Sequence, residues 1–210
     1  MNAANAARLL LPLWAKIAWT VFTAALVPIY WWWYGPANFL WFSDVALFAS
    51  VVVIWTRARL LASAMTVAVL LPELLWNVEF LVRLLTGQGL TGLTDYMWDE
   101  SIPWFVRAIS LFHIPLLVLL VWSVYRLGYD RRGWLAATLL AVVLLPVTRL
   151  LSGSDDNINW VYGPGNEPQE WMPGWLYVAA LVVFFPTCVY APTHFLLRRL
   201  CGRPQRDHAG

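Results

Sequence analysis

The sequence places ionisable and hydroxyl side chains inside long apolar segments, where they are costly unless they are paired or functional. Glu73 and His113 lie well inside two such segments, and Asp44 follows Ser43 near the start of another. A histidine can take a proton from a serine or a water while a carboxylate orients its ring. We therefore expect acid–base or nucleophilic chemistry. His113 would be the base, Asp44 or Glu73 its partner, and Ser43 or Ser110 the nucleophile.

More polar side chains accompany these candidates. Glu73 and Asn77 are four residues apart and share a helical face, and Arg107 precedes Ser110 by three. At a rise of about 1.5 Å per residue, these groups lie in the same half of the membrane. The pattern predicts a polar pocket opening at one membrane face. Its predicted binding residues are Asn38, Asn77, Arg107, Arg149, Asn157, Asn159 and Trp160.

Two alternatives stay open for this cluster. The polar groups could serve only to tie helices together, and Glu79 with Arg83, four residues apart, is expected to form an ion pair. A metal ion held by His113, Asp44 and Glu73 is the other alternative, although no metal-binding spacing such as HExxH is present. The prediction is accordingly a site without a cofactor or a bound metal.

The composition indicates a membrane protein, because 60% of the 210 residues are hydrophobic and only 12% are charged. About twenty apolar residues cross the roughly 30 Å of hydrocarbon in a bilayer. The sequence predicts an all-α, polytopic bundle over residues 1–197 and a basic cytoplasmic tail over 198–210. The six predicted spans are 9–31, 38–56, 60–82, 104–125, 134–150 and 173–196. The first is expected to be a retained anchor rather than a signal peptide, since three tryptophans end it.

Arginine placement predicts the orientation, because basic residues near span ends stay in the cytoplasm. In a six-span topology one side holds Arg8, Arg57, Arg59, Arg126, Arg131, Arg132, Arg198, Arg199, Arg203 and Arg206. The opposite loops are acidic. Both termini are therefore expected in the cytoplasm of a bacterial cell, with the chain in its inner membrane and the pocket facing outwards. Membrane lipids are the expected partners, nucleic acid is not, and protein partners stay open.

Segments 34–44, 94–97, 127–132 and 157–160 resemble a family of bacterial multi-span proteins described only as membrane-associated, and the likeness covers most of the chain. It implies a bacterial membrane location and no specific activity. A fainter resemblance is to the androgen-induced family of six-span intramembrane hydrolases, which use a threonine and a histidine on fatty-acid esters. That resemblance implies that His113 matches the histidine, with Ser43 standing in the second span instead of a threonine.

Three functions from different classes remain at this point. The first is an enzyme that modifies or hydrolyses a lipid, and the second is a structural or assembly subunit of a membrane complex. The third is a small-solute or proton-coupled transporter, which the absence of internal repeats disfavours. Loss of His113 would abolish the activity of an enzyme but would leave a subunit largely intact.

Overall fold

The computed structural model of the protein describes residues 10–165 and 167–201, and these residues form helices and turns without a β-strand. Arg8, Arg203 and Arg206, with most of the predicted tail, lie outside the described residues. The helices are α1 (Leu13–Tyr34), α2 (Phe42–Thr56), α3 (Arg59–Thr86), α4 (Trp104–Leu127), α5 (Gly133–Leu151) and α6 (Gly174–Cys201). Short 3-10 turns occupy Pro36–Leu40, Asp95–Met97 and Ile158–Trp160.

Five of these helices, α1 and α3 to α6, are long and apolar enough to cross a membrane. The prediction of an all-helical, polytopic membrane protein is confirmed at this level. The predicted span 38–56 corresponds to a 3-10 turn followed by the 15-residue helix α2, which is shorter than an ordinary span. Pro36 contributes to this split because it fixes its own φ and lacks a backbone donor. A count of six spans stays a prediction.

Helix α3 lies at the centre of the bundle and packs against α2, α4 and α5. Small side chains allow the close approach, since Ala62, Ser63 and Ala64 are buried on its first turns. Gly133 at the start of α5 sits so close to Ser63 that an added Cβ would lie 2.7 Å from the serine Cβ. Helix α3 has 28 residues, about 42 Å of length, so it extends beyond the hydrocarbon at one end.

Helices α2 and α3 are joined by a turn at Arg57, whose φ of 59° ends α2 in the left-handed region. The turn brings basic residues to one end of the bundle. There the Arg59 guanidinium donates to the Tyr129 carbonyl at 2.6 Å. The Tyr129 N–H donates to the Cys201 carbonyl at 3.1 Å, and its hydroxyl lies 2.6 Å from His194 Nδ1. We call these contacts the Tyr129 junction; they join α3 and α6 to the loop between α4 and α5 at the basic end.

The opposite end is closed by the loop between α5 and α6. Asn159 is buried in this loop with a φ of 53°, and its Oδ1 accepts the backbone N–H of Phe42 at 3.0 Å. Its Nδ2 donates to the Leu40 carbonyl at 2.7 Å and to Thr148 Oγ1 at 3.3 Å. This Asn159 clasp ties the loop to the start of α2 and to α5.

Candidate functional site

The structure brings Glu73 of α3 and His113 of α4 together. Imidazole Nδ1 lies 2.9 Å from Oε2 and 3.1 Å from Oε1 of the carboxylate. Both side chains are largely buried, at 3% exposure for Glu73 and 12% for His113. A carboxylate can only accept hydrogen bonds, so Nδ1 is the donor in this contact. In a neutral imidazole Nε2 then carries the lone pair, which is the tautomer that a general base needs.

Neighbouring side chains hold this pair in place. The His113 ring stacks on Trp76 with centroids 4.4 Å apart and an interplanar angle of 24°. Asn77 Nδ2 donates to the Glu73 carbonyl at 2.8 Å and to the His113 carbonyl at 3.4 Å, so it links α3 to α4. Asn77 was predicted to bind substrate; here it supports the helices that carry the pair.

A 3-10 turn at Ser110–Phe112 interrupts α4 one turn before the histidine. Pro115 explains its position, because its ring opposes the Leu111 carbonyl and cannot donate to it. The turn leaves Ser110 buried against α1, with its Oγ 2.6 Å from the Tyr30 hydroxyl. Ser110, one of the two predicted nucleophiles, is therefore engaged in a hydrogen bond between α1 and α4.

A cavity of about 370 Å³ opens beside the pair. Ser43 and Asp44 reach it from the first turn of α2, His113 from α4, and Asp155 and Asp156 from the α5–α6 loop. The remaining lining residues are Tyr30, Tyr34, Asn38, Trp41, Trp76, Leu93, Tyr96, Ser110, Phe112 and Ile158. The cavity thus unites all the predicted catalytic residues except Glu73, which contacts it through His113.

A second cavity of about 80 Å³ adjoins the first. Ser43, Trp76 and His113 line both spaces, and Glu73 and Trp160 line the smaller one. Ser43 and His113 thus face a common space from two different helices.

The carboxyl group of Asp44 differs from that of Glu73, because one of its oxygens is buried without a hydrogen-bond partner in the described part of the chain. Its side chain is 3% exposed, and Oδ1 has no hydrogen-bond partner among the residues that the structure describes. The Tyr34 hydroxyl is likewise buried and unpartnered there. A buried polar atom without a partner costs about 1–3 kcal/mol, so two such atoms in one cavity wall indicate a place for a polar ligand.

The cavity wall combines negative charge with aromatic rings. Asp44, Asp155 and Asp156 are among its lining residues, and no lysine or arginine is among those described. Tyr96 lies in the loop after α3, where burial raises its pKa. It therefore stays a neutral phenol, and it accepts a hydrogen bond from Trp76 Nε1 at 3.2 Å.

No protein-family model matches the chain, and neither does a curated protein or a solved structure. The two resemblances predicted from the sequence accordingly stay predictions. Function is inferred from the geometry of this cavity, since a helical bundle alone supports many functions.

Besides Asn77, three predicted binding residues line neither cavity: Arg107, Arg149 and Asn157; Asn159 lines the smaller one. Arg107 Nη1 donates to the Met97 carbonyl at 3.2 Å, and its Nε is buried without a partner among the described residues. The Arg149 guanidinium lies 3.7 Å above the Tyr162 ring. Asn157 folds its own loop through bonds to backbone atoms, and Asn159 forms the clasp described above. Asn38, by contrast, lines the cavity.

The expected ion pair between Glu79 and Arg83 is absent. Arg83 forms its ion pair with Asp95 in the following loop. The fully buried Glu79 carboxylate instead accepts hydrogen bonds from the backbone and hydroxyl groups of Thr91 and Thr94. The loop supplies donors that the helix alone could not, so it folds back over the end of α3.

The sequence interpretation missed the aromatic part of the wall. Tyr30 and Tyr34 are four residues apart on α1, and Trp76 follows Glu73 by three, so each pair shares a helical face. Those spacings were a usable signal, but aromatic residues near span ends are so common that they indicate a membrane interface first.

The alternative of a metal ion held by His113, Asp44 and Glu73 depends on how these possible ligands are arranged. His113 and Glu73 are in contact, but within residues 10–165 and 167–201 no group of three or more His, Cys, Asp or Glu side chains is arranged to hold a metal. Asp44 lines the cavity with His113 but does not complete such a set.

An apolar groove of about 980 Å³ runs between α1 and α4. Trp14, Trp19 and Phe22 line it from α1, and Phe112, Val118 and Trp122 from α4. From Phe112 to Trp122 the groove follows α4 for about 15 Å. Phe112 also lines the polar cavity, so one aromatic ring separates the two spaces.

Proposed function

We propose that this chain is a multi-pass enzyme of a bacterial inner membrane that hydrolyses or transfers an acyl group of a lipid in the outer leaflet. His113 would be the general base, Glu73 its orienting carboxylate and Ser43 the nucleophile. One observation carries this proposal: the Glu73–His113 pair lies beside a cavity that Ser43 also lines.

A six-span topology with the basic end in the cytoplasm is part of the proposal. Helix α2 runs back along α1: Trp19 donates to Ser50 at 2.8 Å, and Trp55 donates to Thr20 at 3.0 Å. Lys16 lies over the Trp55 ring at 5.3 Å. With its preceding turn, α2 therefore covers the depth that α1 covers from residue 16 to 34, about 27 Å. That length supports α2 as a sixth span.

The location in a bacterial inner membrane has two supports. Arg59, Arg132 and Arg198 lie at the end of the bundle that carries the Tyr129 junction, and the acidic loops lie at the other end. A basic cytoplasmic side is the usual pattern of membrane proteins. The predicted resemblance to bacterial membrane-associated proteins is the second support.

The apolar groove favours a lipid over a water-soluble substrate. An amphiphile could lay its acyl chain against Phe22 and Val118 while its polar part passes Phe112 into the cavity. Burying an acyl chain in a groove already surrounded by lipid requires no transfer of apolar surface into water. A lipid can therefore reach the site sideways from the bilayer.

The proposed reaction begins with the Ser43 hydroxyl. Its Oγ forms a bond to the carbonyl carbon of an ester as its proton passes to His113 Nε2. The bond to the leaving alkoxide then breaks, and that oxygen takes the proton from Nε2. Water or a second alcohol attacks the acyl-enzyme in the same way, which restores the Ser43 hydroxyl. Glu73 keeps the ring oriented and stabilises the imidazolium at each step.

Ser43 is preferred to Ser110 as nucleophile for a structural reason. Ser110 is held by its contact with Tyr30, whereas Ser43 stands at the start of a helix and lines both cavities. The Ser43 position also corresponds to the nucleophile implied by the resemblance to intramembrane hydrolases.

The test is covalent labelling by a fluorophosphonate, which reacts with serines activated by a base. Membranes carrying wild-type protein, Ser43→Ala or His113→Gln are labelled and compared after insertion is checked by blot. We expect labelling of the wild type, none with Ser43→Ala, and a loss of about 10²-fold or more with His113→Gln. Lipid mass spectrometry of a deletion strain carrying each variant then names the substrate.

Matched controls come from the same chain. His194→Gln changes a histidine at the Tyr129 junction, and Ser123→Ala changes a buried serine of α4 bonded only to its own helix. Both should be labelled like the wild type, as should Ser110→Ala. Labelling that survives Ser43→Ala, with no lipid altered by any variant, would overturn the enzyme and favour a subunit of a membrane complex.

A further inference from the structure

We propose that the polar cavity is a binding site for an ammonium group, so that the lipid acted on carries a positively charged amine in its headgroup. This inference names the substrate class and rests on the proposed function for its link to catalysis. The binding itself requires no reaction and can be tested without one.

The first observation is the unsatisfied carboxylate of Asp44. It is buried, it lines the cavity, and its Oδ1 has no partner among the described residues. A buried carboxyl group stays ionised only when it is paired, and otherwise it takes up a proton. A cation in the cavity would supply the missing partner, and an ammonium would donate hydrogen bonds or place its methyl groups against the carboxylate.

The second observation is the kind of charged residue that lines the rest of the cavity. Asp155 and Asp156 add negative charge from the loop above, and none of the described lining residues is a lysine or arginine. An anionic headgroup, such as a bare phosphate, would meet repulsion on every side. A cation is attracted from the mouth of the cavity to its floor.

The third observation is aromatic. The rings of Tyr30, Tyr34, Trp41 and Tyr96 line the same space. The face of an aromatic ring attracts cations, and a set of such faces with a carboxylate is the usual means of binding alkylated ammonium groups. A volume of about 370 Å³ accommodates a trimethylammonium headgroup.

Substitution of Asp44 is the most direct test of ammonium binding, because its carboxyl group can pair with a cation and its Oδ1 holds no other part of the described structure in place. Its Oδ1 has no hydrogen-bond partner among the described residues, so Asp44→Asn removes the carboxylate that would pair with a cation while keeping the shape of the side chain. Asp130 provides a charge-matched control at the basic end, where it pairs with Arg132. Asp130→Asn removes the same charge at a distance from the cavity.

The experiment measures the binding of choline and of 3,3-dimethylbutan-1-ol, its uncharged carbon isostere, to full-length protein in nanodiscs by calorimetric titration. We expect choline to bind at least about tenfold more tightly than the isostere. Asp44→Asn should abolish that difference and Asp130→Asn should keep it. A short-chain choline lipid is titrated in parallel with free choline to distinguish a lipid headgroup from a soluble amine. Tighter binding of the lipid indicates a headgroup, and equal binding indicates a soluble amine.

Ser43→Ala separates this inference from the proposed function. The variant lacks the nucleophile but keeps the cavity wall, so it should bind choline like the wild type. If Ser43→Ala binds choline while the wild type shows no labelling or lipid change, the ammonium site is supported and the enzyme proposal is refuted. Equal affinity for choline and its isostere, binding of neither, or a preference that survives Asp44→Asn would overturn the ammonium site.

Discussion

Removing His113 should destabilise the protein far more when Glu73 is a carboxylate than when it is an amide. His113→Ala leaves a carboxylate of 3% exposure without its hydrogen-bonded partner, and breaking a buried pair from one side typically costs about 3–5 kcal/mol. Glu73→Gln removes the charge but retains an oxygen that can accept from Nδ1. A charge-assisted bond then becomes a neutral one, a loss of about 1 kcal/mol.

The double variant gives the magnitude of the coupling. In the Glu73→Gln background, His113→Ala removes the stacking on Trp76 and leaves a cavity, but it strands no charge. We therefore expect a loss of about 2 kcal/mol for this step. The double variant should therefore lose roughly 2 kcal/mol less unfolding free energy than the sum of the losses of the two single variants.

Equilibrium unfolding in mixed micelles, followed by tryptophan fluorescence, supplies the four free energies of unfolding. His194→Ala combined with Glu73→Gln is the control, because His194 contacts Tyr129 at the other end of the bundle. That control pair should be additive within about 0.5 kcal/mol. If the losses for Glu73→Gln and His113→Ala also added within about 0.5 kcal/mol, the paired geometry on which the catalytic proposal depends would be refuted.

Three further substitutions test other parts of the structure. Gly133→Ala should cost about 1–3 kcal/mol, because the new Cβ would meet Ser63, whereas Gly153→Ala, with neighbours no closer than 3.9 Å, should leave the thermal midpoint unchanged. Asn159→Ala should be less stable than Asn159→Gly by about 1 kcal/mol in denaturant titrations, since both lose the clasp but only alanine is strained at a φ of 53°; equal stabilities would contradict this. A hydrogen bond from a guanidinium lowers the pKa of Asp130, so its contribution, under about 1 kcal/mol, is present above the unfolded pKa and lost as the pH falls through the folded one. Melting curves of Asp130→Asn should therefore differ from the wild type near neutral pH and converge with it near about pH 3.

The helical architecture was largely predictable because apolar length is a strong local signal. Five of the predicted segments correspond to helices that could cross a membrane, with ends shifted by up to a few residues. The second segment was harder, since Phe39, Leu40 and Trp41 extend the apolar run of α2, but Pro36–Leu40 folds into a 3-10 turn after Gly35. That turn is held by Asn159, a contact between residues 119 apart that no local pattern reveals.

The site was predictable in its residue types but not in its pairing. Depth along the helices correctly brought Glu73 near His113, and the structure brings them into contact. It could not separate a residue that faces the cavity, such as Asn38, from one that folds a loop, such as Asn157. That distinction depends on which way a side chain turns once distant segments meet.

The Tyr129 junction has a consequence for where products go. At the basic end, α3 and α6 are both hydrogen-bonded to Tyr129 in the loop after α4, so these parts of the chain are tied together on that side. A carrier that alternates between two faces would have to undo these bonds in each cycle. In the proposed enzyme, with this end held in place, a lipid product would leave towards the leaflet from which its substrate came. Sustained turnover would then change the composition of a single leaflet and unbalance the area of the two halves of the bilayer.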